Sequence, residues 1–200
     1  EFFALASHEL RTPLTTIKGN ASLIQKYLGN GLKDKQLEEM VRDIYDSSAR
    51  LIEIVNDFLD VSRLEQGKIE FKKERVNLKT FIKECLEELE PAATQKGLYL
   101  KLEDYKDGPA EVLADKDRAK QIIINVVGNG LNFTKNGGVS VELIKEKGFW
   151  KIRVKDTGVG ISVQEQRLLF KKFQQAGERV LARDVTRGTG MGLYISKLLI

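Results

Sequence analysis

The six residues His8-Glu9-Leu10-Arg11-Thr12-Pro13 hold the chain's one histidine beside a carboxylate. A neutral imidazole nitrogen is a competent nucleophile near neutral pH, and an adjacent carboxylate can take its proton. Thr12 lies four residues on and shares the helical face of His8. Pro13 removes a backbone donor and should bend the helix just after the site. In isolation the string would also suit an ordinary surface histidine on a coiled coil.

Three further strings can do chemistry. Asn125 and Asn129 stand four apart in an apolar helical run, so both amides project from one face. Amide oxygens suit a hard cation that keeps its waters, such as Mg²⁺. A hydrogen-bonded helix surface is the plainer alternative. Asp156-Thr157-Gly158-Val159-Gly160 follows a strand pattern directly. A carboxylate at a strand end can accept from an exocyclic amine, and glycines let a ligand approach the backbone. Asp-Thr-Gly is also a common turn. Gly188-Thr189-Gly190-Met191-Gly192-Leu193 runs into a helix, with Arg179, Arg183 and Arg187 upstream. Glycine-rich loops at helix N-termini cradle phosphates, although a hinge would read the same. The string lacks the Gly-Lys-Ser/Thr of a P-loop and the preceding strand of a dinucleotide fingerprint.

Long elements must position these strings. Residues 1–28 carry apolar or small residues at Phe3, Ser7, Leu10, Leu14, Ile17, Ala21, Ile24 and Leu28. Residues 35–66 repeat the pattern at Leu37, Val41, Ile44, Ser48, Leu51, Val55, Phe58 and Ser62. The alternating spacing of three and four is a heptad seam. Gly29-Asn30-Gly31 ends the first helix and Asp34 can cap the second, which makes an antiparallel hairpin. Two helices cannot cover both seams, so the pattern predicts that two chains pair into a four-helix bundle, the alternative being that the hairpin packs on the rest of its own chain. His8 then sits on the bundle's flank, accessible to solvent.

After Gly67 helices and strands alternate. Helices are expected at 78–96, 116–134 and 163–173, with a last one from near Met191. Strands are expected at Leu98–Leu102, Glu111–Ala114, and in a hairpin of Val139–Leu143 with Trp150–Val154 that turns at Lys147-Gly148. The fold class is an α-helical hairpin followed by an α+β layer, with helices on one face of a mixed sheet. The domain boundaries are 1–66 and 67–200.

Composition excludes other classes. No apolar run approaches the ~18–20 residues of a membrane helix, and no signal peptide opens the chain. One cysteine, Cys85, allows no internal disulfide and points to a reducing compartment. One histidine and one cysteine do not make a zinc site. Residues 1–66 carry eight basic and eleven acidic residues, net −3; residues 67–200 carry 25 and 18, net +7. The basic part suits a phosphorylated small ligand. No dense basic run or aromatic-basic repeat supports nucleic acid.

The strings, in this order, resemble the catalytic core of sensor histidine kinases. His8–Pro13 is similar to the family's H box, Asn125–Thr134 to its N box and Asp156–Gly160 to its first G box. Leu169–Phe173 is similar to the F box and Gly188–Leu193 to the second G box. The resemblance implies a hairpin that dimerises and carries the phosphoryl-accepting His8, followed by a Bergerat-type ATP-binding sandwich. It implies ATP and Mg²⁺ as cofactors, and transfer from His8 to an aspartate of a response-regulator receiver domain. Glu9 would assist proton removal, and Thr12 would orient water in dephosphorylation of the partner. Asn125 and Asn129 would serve the Mg²⁺–triphosphate end. Asp156 would bind the adenine amine, Gly158 and Gly160 would make room for the base, and Phe133 would line its pocket. Gly188, Gly190 and Gly192, with Leu193, would form the phosphate side of a lid that Phe170 and Phe173 anchor on the hairpin.

Asn132 stands where the family has lysine, which removes a phosphate contact. Gly130 stands where it has alanine, at a helix cost of about 1 kcal/mol. The family pattern continues with two more strands, so the resemblance implies a sheet truncated at the C-terminus. It also implies the cytoplasmic part of a longer, membrane-anchored sensor. A non-catalytic dimeric scaffold that docks a response regulator, and another Bergerat-fold ATPase, are the alternatives.

Overall fold

The computed structural model describes residues 2–27, 34–105, 108–172 and 189–200, with side chains in the first helix from Leu10 onward. Helix α1 spans Phe2–Tyr27 and α2 spans Asp34–Glu65. They run antiparallel: Asn20 Nδ2 donates to Asp43 Oδ2 at 3.3 Å, and Leu10 packs beside Ile54 and Val61. Pro13 is buried within α1, and the helix continues through it.

The heptad seam is only part of what the hairpin buries. Leu37, Ile44, Leu51 and Phe58 are half-buried, whereas Val41 and Val55 are exposed. The most buried residues of α2 are Ser47, Ile54 and Val61, a separate stripe at intervals of seven. Ile54 and Val61 are covered by Met191 and Ile195 of the second domain. The base of the hairpin therefore packs on the rest of its own chain.

The second domain has two sheets. Strand β1 (Lys73–Asn77) pairs antiparallel with β3 (Glu111–Asp115), from Lys73 opposite Asp115 to Asn77 opposite Glu111. Strand β2 (Tyr99–Leu102) pairs parallel with β4 (Gly138–Glu146), which pairs antiparallel with β5 (Phe149–Asp156) through the Lys147-Gly148 turn. Helices α3 (Leu78–Gln95) and α4 (Lys116–Phe133) lie on one face. Phe81, Ile82, Cys85 and Leu86 of α3 and Ile123, Val127 and Leu131 of α4 pack on Val139, Val141 and Leu143 of β4. Asn77 and Asp115 cap the two helices by accepting from the backbone N–H groups of Thr80 and Arg118. The Cys85 thiol is pushed up to about 11 by burial, so it packs as a small apolar group.

Two expectations change. Strand β1 falls in a stretch where the sequence pattern predicts no element, because only Val76 of Lys73–Asn77 is buried and the rest is polar. The helix expected at 163–173 is a single turn, α5 (Val163–Gln166), closed by a Ser162/Glu165 capping box. Beyond it the bonds from Leu168 N to Glu165 O and from Lys171 N to Leu168 O are three-residue turns. The last helix, α6, spans Gly192–Leu199. Among the described residues no helix is long and apolar enough to cross a membrane.

Candidate functional site

Asn125 and Asn129 sit on the face of α4 that meets α6. Asn125 Nδ2 donates to Ser196 Oγ at 2.8 Å, and Asn125 Oδ1 accepts from Asn129 Nδ2 at 3.4 Å. Alpha-helix α6 approaches so closely that a Cβ at Gly192 would lie 2.2 Å from Asn125 Oδ1. Glycine at the start of α6 is therefore a packing requirement of the asparagine pair.

At the far end of α4, Asp156 closes β5 and its Oδ1 accepts from the Gly158 N–H at 2.8 Å. A Cβ at Gly158 would lie 2.6 Å from the Phe133 carbonyl and 2.8 Å from Asp156 Oδ1. The aspartate, the glycine turn and Phe133 thus meet in one place, with the Asp156 carboxylate exposed and the Phe133 ring 46% exposed. Gly160 has φ +71° with open space around it. Gly130 faces the same corner: an added Cβ would lie 3.0 Å from Val139 Cγ2 and 3.5 Å from Asp156 Cβ. Its helix cost is offset by this close packing of α4 on β4.

Asn132 does not leave its position without a cation. Lys96, just past α3, donates to Asn132 Oδ1 at 2.7 Å and to the Leu131 carbonyl at 3.3 Å. The ammonium occupies orphan acceptors at the negative end of α4.

Among the sequence candidates, Asn125, Asn129 and Gly192 gather at the α4–α6 contact, with Gly190 and Leu193 flanking Gly192 in the chain, and Phe133, Asp156, Gly158 and Gly160 lie at the turn after β5. His8 and Glu9 lie in α1, but their side chains are outside the described part. Thr12 is exposed one turn on. Gly188, Phe173, Arg179, Arg183 and Arg187 lie outside the described residues. Phe170 is 48% exposed and does not join the apolar cluster at the hairpin base. That approach is made by Lys172, whose Nζ lies 2.6 Å from Glu65 Oε1.

Three acidic residues of α2 were not legible as site residues. Asp57 Oδ2 accepts from Thr189 Oγ1 at 2.5 Å, and Thr189 Oγ1 in turn accepts from the Met191 N–H at 3.2 Å. Asp60 Oδ2 accepts from Arg118 at 3.1 Å and Gln121 at 3.0 Å. Glu65 Oε1 accepts from Tyr194 at 2.5 Å. Burial pushes the Asp57 carboxyl above its ordinary range, against the pull of its Thr189 bond. Lys172 and then Tyr194 hold Glu65 below its ordinary range. The Tyr194 hydroxyl is pushed up to about 12 by desolvation and by Glu65, so it stays a donor. Acidic positions on a long helix read as a solvated face, and only the partners reveal the difference.

The donor set fits a cation held mainly by its ligand. No cluster of three or more His, Cys, Asp or Glu that could hold a metal exists among the described residues, and the oxygens where α4 meets α6 are the neutral Asn125 and Asn129 amides and the Ser196 hydroxyl. Mg²⁺ bound through phosphate oxygens and waters suits such a site.

Residues 1–67 match the family described as His Kinase A (phospho-acceptor) domain. Residues 114–200 match the family described as histidine kinase-, DNA gyrase B-, and HSP90-like ATPase. The sensor histidine kinase GacS of Pseudomonas protegens is 38% identical over the whole chain, which spans 22% of that protein. Among solved structures, full-length ShkA in complex with AMPPNP superposes with TM-score 0.70 at 29% identity, over 100% of this chain and 40% of that one. The histidine kinase ThkA in complex with the response regulator TrrA shares the fold at TM-score 0.67 and 21% identity, over 86% of this chain and 50% of that one. The chain spans about a fifth of the length of the curated relatives it matches first.

Proposed function

The chain belongs to the histidine kinases, as a core that joins a phospho-acceptor hairpin to an ATPase domain, and we propose that it phosphorylates His8 from ATP and passes the group to an aspartate of a response regulator. The observation that carries this reading is the meeting of the two domains. Leu10, two residues past His8, packs against the cluster formed by Ile54, Val61, Met191 and Ile195. The acceptor turn of α1 and the glycine-rich start of α6 are thus held at one level of the hairpin. The domains divide at about 66/67, where Gly67 takes φ +63° after α2 ends.

Phosphoryl transfer depends on positioning and charge neutralisation. Bound Mg²⁺ would neutralise the triphosphate, with Asn129 and Asn125 offering amide oxygens. Asp156 would accept from the adenine amine, beside Gly158, Gly160 and the Phe133 ring. Gly188, Gly190, Gly192 and Leu193 would bring backbone N–H groups to the phosphates. An imidazole nitrogen of His8 forms the new bond to phosphorus as the bond to the leaving ADP oxygen breaks, and Glu9 takes the imidazole proton. Thr12 would orient water when the phosphorylated partner is hydrolysed. The partner reading is supported by ThkA, which is bound to the response regulator TrrA in its structure.

The exposed seam residues support a homodimer. Leu14, Val41 and Val55 are 51%, 52% and 44% exposed in the single chain, and a second hairpin would cover them as a four-helix bundle. The segment would sit on the cytoplasmic side of a longer sensor.

The test is incubation with Mg²⁺ and γ-labelled ATP, followed by acid and base treatment. Acid-labile, base-stable label is expected on the wild type and absent from His8→Gln. Label that persists in His8→Gln refutes the reading, because no other histidine exists in the chain.

A further inference from the structure

The second domain touches α2 along a line of unlike contacts. Asp57 holds Thr189, Asp60 holds Arg118 and Gln121 of α4, and Glu65 holds Tyr194 and Lys172. Between them lies an apolar seam in which Ile54, Val61, Met191 and Ile195 are all at most 2% exposed. Most of this line is docking, but the Asp57 contact reaches further. Thr189 lies between Gly188 and Gly190, so its hydroxyl ties the glycine-rich string itself to the hairpin. The same oxygen accepts from the Met191 N–H. Met191 is the N-cap of α6 and offers no side-chain cap of its own. The carboxylate of α2 therefore orients the hydroxyl that occupies a backbone donor at the start of α6.

We infer that Asp57 is a positioning residue for nucleotide binding: through Thr189 it holds the start of α6 in an arrangement that a phosphate must compete with, so that the hairpin sets the affinity of the ATPase domain. This rests on the reading that the domain binds ATP. A backbone N–H engaged within the chain is one donor fewer for a phosphate. A ligand that needs the released arrangement has its affinity lowered by the fraction of chains that are docked. Movement of α2 along its neighbour would then change nucleotide affinity without any residue of α2 touching the nucleotide.

The experiment is calorimetric titration of the full chain with Mg²⁺-ADP. Asp57→Ala removes the acceptor, and Thr189→Val removes the donor at nearly constant volume. Each should tighten ADP binding by roughly threefold to tenfold, the size of one hydrogen bond's net contribution. The double variant should gain no more than either single one. Asp57→Asn keeps an acceptor oxygen and should bind ADP as the wild type does. A contact of purely structural value would lower the denaturation midpoint and leave ADP affinity unchanged or weaker in both variants, which overturns the inference while the ATP reading stands. A wild type that binds no Mg²⁺-ADP overturns the ATP reading first, and this inference with it.

Discussion

Gly192→Ala should destabilise the chain, although alanine is the better helix former, and the cause is a single side chain. Gly192 opens α6, where the gain from alanine is up to about 1 kcal/mol. Its added Cβ would meet Asn125 Oδ1 at 2.2 Å, Cγ at 2.8 Å and Nδ2 at 3.1 Å, and these are its three nearest neighbours. No methyl group tolerates such distances, so Asn125 must rotate or α6 must lift. Either movement breaks the 2.8 Å bond from Asn125 to Ser196, whose hydroxyl is buried at 4% exposure. Leaving a buried partner unsatisfied costs about 1–3 kcal/mol, so the net loss is about 1 kcal/mol after the helix gain is subtracted. The decisive measurement is a double-mutant cycle by urea unfolding without nucleotide. Asn125→Ala removes all three clashing atoms, and in that background Gly192→Ala should become neutral or stabilising by up to about 1 kcal/mol. The interaction energy should therefore exceed the ~0.5 kcal/mol scatter of independent sites. If Gly192→Ala lowers the midpoint equally in both backgrounds, the steric reasoning is wrong and the glycine serves some purpose other than admitting Asn125.

Ile82 is fully buried between α3 and the sheet, so Ile82→Ala should cost about 2–5 kcal/mol in chemical denaturation; a loss below 1 kcal/mol would place the core elsewhere. Glu65→Gln should lower stability modestly at neutral pH, because Lys172 and Tyr194 stabilise the carboxylate. The folded pKa lies below the ordinary 4.5, so this contribution is present above that value and lost as pH falls through the folded pKa. The gap between wild type and Glu65→Gln in denaturation midpoint should close on acidification, and a gap that widens would reverse the assignment.

The candidate strings stand out in the sequence because each combines an unusual residue with a fixed spacing. An asparagine pair in an apolar helix and an aspartate at a strand end each also admit a structural reading, and in the fold Asn125 bonds Ser196 and Asp156 bonds the Gly158 N–H, so it is the strings together that point to chemistry. The β4–β5 hairpin and helices α3 and α4 were legible for the opposite reason: alternating or three-to-four spaced apolar residues have one economical burial. Strand β1 escaped because its pairing with β3 rests on backbone bonds, and a strand of Lys, Glu, Arg and Asn around Val76 carries no side-chain period. The helix expected at 163–173 was overestimated because its apolar residues share a spacing with a chain of tight turns.

The contact between domains was illegible on different grounds. Ile54 and Val61 sit beside a heptad seam that already accounts for apolar residues on α2, so nothing marks them as serving a second surface. Asp57, Asp60 and Glu65 look like solubilising charges until Thr189, Arg118 and Tyr194 are placed against them. Periodicity reports which face of one element is buried, but not by what, and the hydrogen-bonded partners here lie 58 to 132 residues further along the chain. This bears on regulation. A helix with an apolar seam toward α1, exposed seam residues such as Val41 and Val55, and a third stripe toward α6 cannot rotate without changing all three contacts. The stripe at Ile54 and Val61 has dry apolar partners, whereas Asp57 holds Thr189 by a single polar bond and Glu65 holds Tyr194 and Lys172 by one each. Small rotations of α2 should therefore break the polar bonds before the apolar seam parts, which puts the sensitive link at Thr189, beside the glycine-rich string.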